Sequence, residues 1–272
     1  MVVAIKIYDK FKLTSNAQIK KSVQREIKLL ATLSNTLDTT SSMFGKGHSS
    51  IMRLFDAIDT PKQLYLILEN CQGKILHSVL KKQLNGNLTE KQSALIFYQI
   101  MKAMDFYHSK NIAHRDIKPE NILVDLDSPS VMTKVIDFGF AAQSSKKMEI
   151  FCGTPAYMSP EICAKLKYSG PATDMWASGI LLFTMLFGVQ PFKASNEKEL
   201  FRKIIKGSFN MPVVTSRTNG TEKAYLFETH PEIKHVEIIR EMIDEILEPN
   251  ESKRATAEHI LRKYAKWFEN FK

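Results

Sequence analysis

The chain has 272 residues, 44% of them hydrophobic, so it can bury a sizeable core in one large domain or two smaller ones. Its 38 basic and 29 acidic residues leave a formal charge of +9, but the lysines come as scattered pairs such as Lys20-Lys21, Lys81-Lys82 and Lys146-Lys147. That dispersal reads as a solvated surface with an anion site. It gives no support to a nucleic-acid-binding module, for which no aromatic-rich motif is present either.

The opening residues Val2 to Tyr8 are rich in β-branched types and predict a strand. From Ala17 to Leu33, Ile19, Val23, Ile27 and Leu30 recur at helical spacing, with Glu26 beside the stripe. Residues 36–50 are small, polar and Gly-containing, and predict a loop. Two further strands are expected at Ile51 to Ile58 and Leu64 to Leu68, turned by Thr60-Pro61. After Gly73 the pattern becomes helical. Thr89 and Gln92 form a capping-box signature for a helix to about Lys110. Helices follow at Asp174 to Phe187 (stopped by Gly188 and Pro191), Glu197 to Lys206, Glu237 to Leu247 and Thr256 to Phe268, with a polar loop or insertion from Asn210 to Pro231.

The three cysteines, Cys71, Cys152 and Cys163, form no C-x-x-C pair, which argues against a zinc site and a disulfide framework. The simplest expectation is three reduced thiols in a cytoplasmic or nuclear protein. The most apolar run, Gly179 to Val189, is shorter than the ~20 residues needed to span a bilayer. No signal peptide is expected at Met1 and no membrane partner is required.

The chemistry concentrates in His114-Arg115-Asp116-Ile117-Lys118-Pro119-Glu120-Asn121 and in Asp137-Phe138-Gly139, where Asp137 lies 21 positions beyond Asp116. A lone Asp or Asn is usually a turn residue. The complete octet at that distance from D-F-G is another matter. On these segments the chain resembles the eukaryotic protein kinases.

The resemblance implies an α+β bilobal fold, with a β-rich N-lobe over residues 1–70 and a mainly helical C-lobe over 71–272. It implies ATP and Mg²⁺ as cofactors and protein serine or threonine hydroxyls as substrates. Asp116 would be the catalytic base and Lys118 would reach the transferring phosphate. Asn121 and Asp137 would supply hard oxygen ligands to Mg²⁺. Lys6, in Val3-Ala4-Ile5-Lys6, would hold the α- and β-phosphates and pair with Glu26, the only acidic residue between Asp9 and Asp38. Leu68 would be the gatekeeper, Glu69 and Cys71 would offer backbone groups to the adenine edge, and Ala4 and Leu123 would pack on its faces. Leu30, Leu54, His114 and Phe138 would stack into a column anchored by Asp174. Glu161 would form a buried ion pair with Arg254. Lys118 and Gly153-Thr154-Pro155 mark the serine/threonine branch. The C-G-T-P and D-M-W-A-S-G segments look most like the calmodulin-dependent and AMP-activated group.

Three departures from the pattern matter. No Gly-rich loop precedes Val3, so a chain starting at Met1 is expected to be a poor kinase; a gene fragment or incomplete gene model is the plain explanation. The alternative is a catalytically weak or inactive kinase-fold interaction protein. Ile150 stands where many relatives carry a phosphorylated threonine, so no phosphorylation switch is expected there, and Ser144 or Ser145 would have to substitute. Lys74 occupies a place where an acid often contacts the ribose, and Thr184 one where some basophilic relatives carry glutamate. A strong preference for Arg-rich substrates is therefore not expected, although Glu120 remains.

Overall fold

The computed structural model describes residues 2–34, 47–128, 130–211, 214–216, 223–225 and 233–272. Its first part is a three-stranded antiparallel sheet in the order β1-β3-β2, made of β1 (Val3–Asp9), β2 (Leu54–Asp59) and β3 (Gln63–Glu69). The register sets Val3 opposite Glu69 and Asp9 opposite Gln63. Ile51, expected inside a strand, instead bridges to Val135 of the larger lobe. Most of the loop expected at 36–50 lies outside the described residues, which resume at 47.

Two helices follow β1. Asp9 caps α1 (Lys10–Ser15) by accepting the Lys12 N–H, and Asn16 accepts the N–H groups of Gln18 and Ile19 at the start of α2 (Ala17–Ser34). The buried face of α2 runs through Val23, Glu26, Leu29, Leu30 and Leu33. It is rotated from the expected stripe: Ile19 is exposed, Ile27 half-buried, and Glu26 lies inside the buried face rather than beside it. Two apolar spacings overlap in this helix, and packing against the sheet selects the one that carries the acid inward.

The larger part begins with β4 (Lys74–Ile75) and α3 (Leu76–Lys82), followed by α4 (Glu90–His108). The Thr89–Gln92 capping box is fully formed at the start of α4. A small sheet in the order β4-β6-β7 contains β6 (Ile122–Asp125) and β7 (Met132–Val135), and β5 (Ile112–Ala113) pairs with β8 (Ala142–Gln143). These short strands hold both ends of the motif-bearing loops.

After α5 (Pro160–Cys163) comes α6 (Gly170–Phe187), buried on nearly every side. A helix apolar all round belongs in the middle of a core, and each fully buried Leu, Ile or Phe adds about 1.5–3 kcal/mol. It stops at Gly188, whose φ is +66°; a Cβ there would lie 2.1 Å from the Asn85 carbonyl oxygen. Next come α7 (Glu197–Lys206) and the short antiparallel pair β9 (Val214–Ser216) and β10 (Lys223–Tyr225), inside the stretch expected to be a loop. The chain ends with α8 (Val236–Ile246), α9 (Ala257–Lys263) and α10 (Ala265–Glu269). The last two replace the single helix expected at 256–268. The chain turns at Tyr264, which brings the Trp267 indole N–H onto Glu90 at 3.0 Å, at the head of α4. Among the described residues no helix is long and apolar enough to cross a membrane.

Candidate active site

The loop between β5 and β6 is shaped by one buried carboxylate. Asp174 of α6 accepts the backbone N–H groups of His114 and Arg115 at 2.8 and 2.7 Å, and the His108 imidazole at 3.0 Å. Arg115 is thereby held with φ at +66°, a region bulky side chains avoid. The bend turns Asp116 into a tight polar network. Asp116 Oδ1 accepts the Thr154 hydroxyl at 3.0 Å, and Oδ2 lies 2.8 Å from Lys118 Nζ and 2.9 Å from Asn121 Nδ2. Lys118 Nζ also donates to Thr154 Oγ1 at 2.8 Å. Asp116 is only 6% exposed, so these donors substitute for water around it.

Asn121 donates from Nδ2 to both the side chain and the carbonyl of Asp116. Its Oδ1, the atom able to bind a cation, accepts no hydrogen bond among the described residues. The Asn121 carbonyl accepts the Ile136 N–H at 3.0 Å, which puts Asp137 on the neighbouring strand end. Asp137 has φ of +60° and a half-exposed carboxylate, held by the Gly139 N–H at 3.2 Å. One amide oxygen and one open carboxylate make a hard, incomplete donor set. That suits Mg²⁺, which keeps waters and phosphate oxygens among its ligands. Among the described residues no group of three or more His, Cys, Asp or Glu could hold a metal without such help.

On the opposite wall, Lys6 Nζ lies 2.8 Å from Glu26 Oε1 and 3.9 Å from Asp137 Oδ1. Burial works against the lysine charge, but the Glu26 carboxylate outweighs it and raises the Lys6 pKa above its ordinary value. Lys6 is therefore a fixed cation between two acids.

Of the expected nucleotide-cleft residues, Ala4 sits in β1 opposite Leu68, and Leu123 sits in β6 opposite Ile75; both are half-buried. Leu68 is buried. The Glu69 carbonyl and the Cys71 N–H, expected to meet the adenine edge, are bonded to each other at 3.0 Å, so a ligand there would share or replace that turn. The Glu69 side chain turns away from the cleft to Lys134, 2.7 Å from Nζ. Lys74 is exposed and lies 3.3 Å from Asp127. Leu30, His114 and Phe138 are fully buried and Leu54 half-buried, with the His114 and Phe138 rings 4.8 Å apart, edge to face.

The protein kinase domain family model matches residues 1–268. The chain belongs to the protein kinase family. It is 35% identical over 262 residues to the probable serine/threonine-protein kinase MARK-A of Dictyostelium discoideum. That alignment takes in 95% of this chain and 21% of the relative, so the chain spans about a fifth of that protein's length. The fold agrees: a small sheet-containing lobe sits on a mainly helical one.

In kinase terms the segment from Asp137 to Glu161 is the activation segment, and two buried arginines, Arg115 near its start and Arg254 at its far end, tie it down. At the far end Arg254 grips Glu161 with two N–O contacts of 2.8 and 3.0 Å. Burial works against the Glu161 charge, yet the Arg254 bonds hold its pKa below the ordinary value. Ser159 is buried and 3.3 Å from the Thr173 hydroxyl. Near the start, Arg115 donates from Nε to the Phe140 carbonyl at 2.7 Å, and from Nη1 it donates to the Tyr168 hydroxyl, beyond the segment, at 3.1 Å. Tyr168 in turn donates to the Ile150 carbonyl at 2.6 Å. Gly153 has φ of +113° and passes so close to the Arg115 carbonyl that a Cβ would lie 3.1 Å from it.

Sequence reasoning missed three participants. The Lys134 contact with Glu69 follows from sheet register, which the sequence does not show. Thr154 was visible only as part of a motif, without its bond to Asp116. Tyr8 carried a signal that could have been used: in a strand it shares a face with Ala4 and Lys6.

Proposed function

We propose that this domain transfers the γ-phosphoryl group of ATP to serine and threonine hydroxyls of proteins. The observation that carries this reading is the Asp116–Lys118–Thr154–Asn121 network, in which one carboxylate is aimed, charge-balanced and nearly dry. In that role Asp116 accepts the hydroxyl proton as the substrate oxygen bonds to the γ-phosphorus. The bond from that phosphorus to the bridging oxygen breaks, and ADP carries away the electron pair. Lys118 faces the equatorial oxygens as their charge redistributes. Lys6, steadied by Glu26, positions the α- and β-phosphates. Asn121 and Asp137 would hold Mg²⁺, which when bound neutralises charge on the phosphates.

The N-lobe is assigned to residues 1–70 and the C-lobe to 71–272, with Glu69 and Cys71 at the hinge between them. Lys118 with Gly153-Thr154-Pro155 supports serine and threonine over tyrosine, and the calmodulin-dependent and AMP-activated group is the assigned branch. The test is ATP-dependent labelling of a generic protein substrate by residues 1–272, with Asp137→Ala as control. Loss of labelling in the variant supports the proposal. A folded protein that neither binds Mg·ATP nor labels substrate overturns it for this chain and leaves the interaction-protein reading.

A further inference from the structure

Glu26 is 2% exposed, so both of its carboxylate oxygens need donors inside the protein. Lys6 Nζ serves Oε1 at 2.8 Å. The Tyr8 hydroxyl serves Oε2 at 2.9 Å. Burial pushes the Tyr8 hydroxyl up to about 12, so it stays a proton donor throughout the neutral range. One turn earlier on α2, Ser22 Oγ donates to the Gly139 carbonyl at 2.9 Å, two residues beyond Asp137. The helix is thus tied to β1 through Glu26 and to the Asp137 loop through Ser22. The Tyr8 and Ser22 hydroxyls that complete these ties carry no charge, and the Tyr8 ring lies 5.3 Å from Lys6 Nζ.

Taking the kinase reading as its basis, we propose that Tyr8 is a positioning residue. Its hydroxyl, together with the Ser22–Gly139 bond, latches α2 so that Glu26 keeps Lys6 in the cleft through contacts this chain itself supplies. Without the hydroxyl, Glu26 Oε2 is left buried and open, a defect that rotation of α2 toward solvent would relieve. That rotation withdraws Glu26 from Lys6.

The experiment is a cycle of Tyr8→Phe, Glu26→Leu and the double variant, with Ser22→Ala beside it, all in the 272-residue chain. Two readouts are taken: KM for ATP against kcat, and amide hydrogen exchange over residues 17–34. Tyr8→Phe removes one oxygen and keeps the ring in its packing. It should raise KM for ATP about fivefold or more and speed exchange in α2, with an effect under about twofold in the Glu26→Leu background. Ser22→Ala should speed α2 exchange in the same direction. An unchanged KM with wild-type exchange overturns the latch, as does an equal effect of Tyr8→Phe with and without Glu26. If the wild-type chain binds no ATP, the kinase reading fails by itself. The exchange arm still decides whether Tyr8 holds the helix.

Discussion

The Asp174 carboxylate accepts the backbone N–H of Arg115 at 2.7 Å, and Arg115 has φ of +66°. One buried acid thus holds a left-handed residue immediately before Asp116. Strain of this kind costs about 1–3 kcal/mol and persists only where the surroundings over-determine it. Asp174→Ala removes the acceptor for two backbone amides and an imidazole. It should lower the stability of the larger lobe by about 3 kcal/mol or more, read by denaturant unfolding. Asp174→Asn keeps one acceptor oxygen and should lose phosphotransfer more than it loses stability.

The Glu161–Arg254 pair is buried on both sides, so breaking it from one side leaves an uncompensated charge. Arg254→Met should cost about 3–5 kcal/mol by urea unfolding, and the double change with Glu161→Leu should cost clearly less than the sum of the singles. Additive losses would mean that the two side chains act independently. The pH dependence has a definite sign: with the Glu161 pKa depressed in the folded state, the pair's contribution is present above the unfolded carboxyl value and is lost as pH falls through the folded one.

Arg115 is met by neutral partners, the Phe140 and Ile150 carbonyls and the Tyr168 hydroxyl. These bonds order the activation segment without a phosphate. Phosphatase treatment should therefore leave the rate within about twofold, while Tyr168→Phe, which removes the Arg115–Tyr168 bond and the Tyr168–Ile150 bond, should lower kcat about tenfold. A large loss on dephosphorylation would point instead to Ser144 or Ser145 as the switch.

His48 should titrate near pH 4, well below an ordinary histidine. Burial is the main cause, with Lys102 and Lys134 adding to it, and its Nδ1 accepts the Ser50 N–H at 3.1 Å, which an imidazolium could not do. The unfolded chain takes up the proton below the ordinary histidine value while the folded one resists. Stability from this group is complete above about pH 6.5 and is lost as pH falls toward 4. NMR titration of the imidazole checks it directly; a midpoint near 6.5 would contradict the burial of this ring.

Much of this was legible along the chain. Thr89 and Gln92 announced the start of α4 because capping is local chemistry. The Lys6–Glu26 contact could be named because the kinase resemblance calls for an acid on the helix after Lys6 and no other acid stands in that stretch. The face of α2 was harder, since Ile19, Val23, Ile27 and Leu30 compete with Val23, Glu26, Leu30 and Leu33 at the same spacing. Only the sheet beneath chooses between them. The break at Tyr264 depends on Trp267 finding Glu90, a partner far away in sequence. Lys134 was unreadable as the partner of Glu69 for the same reason: the contact is made by the register of β6 and β7 and their approach to β3.

The central claim is that Asp116 acts as the base of a phosphoryl transfer. The most direct measurement is the single-turnover rate of phosphotransfer from Mg·ATP to a protein substrate, wild type against Asp116→Asn, with unfolding curves for both. The account predicts measurable transfer by the wild-type chain, a fall of about 10²–10⁴-fold in the variant, and near-equal stability. Equal rates in the two proteins, or a stable wild type with no transfer at all, would contradict it.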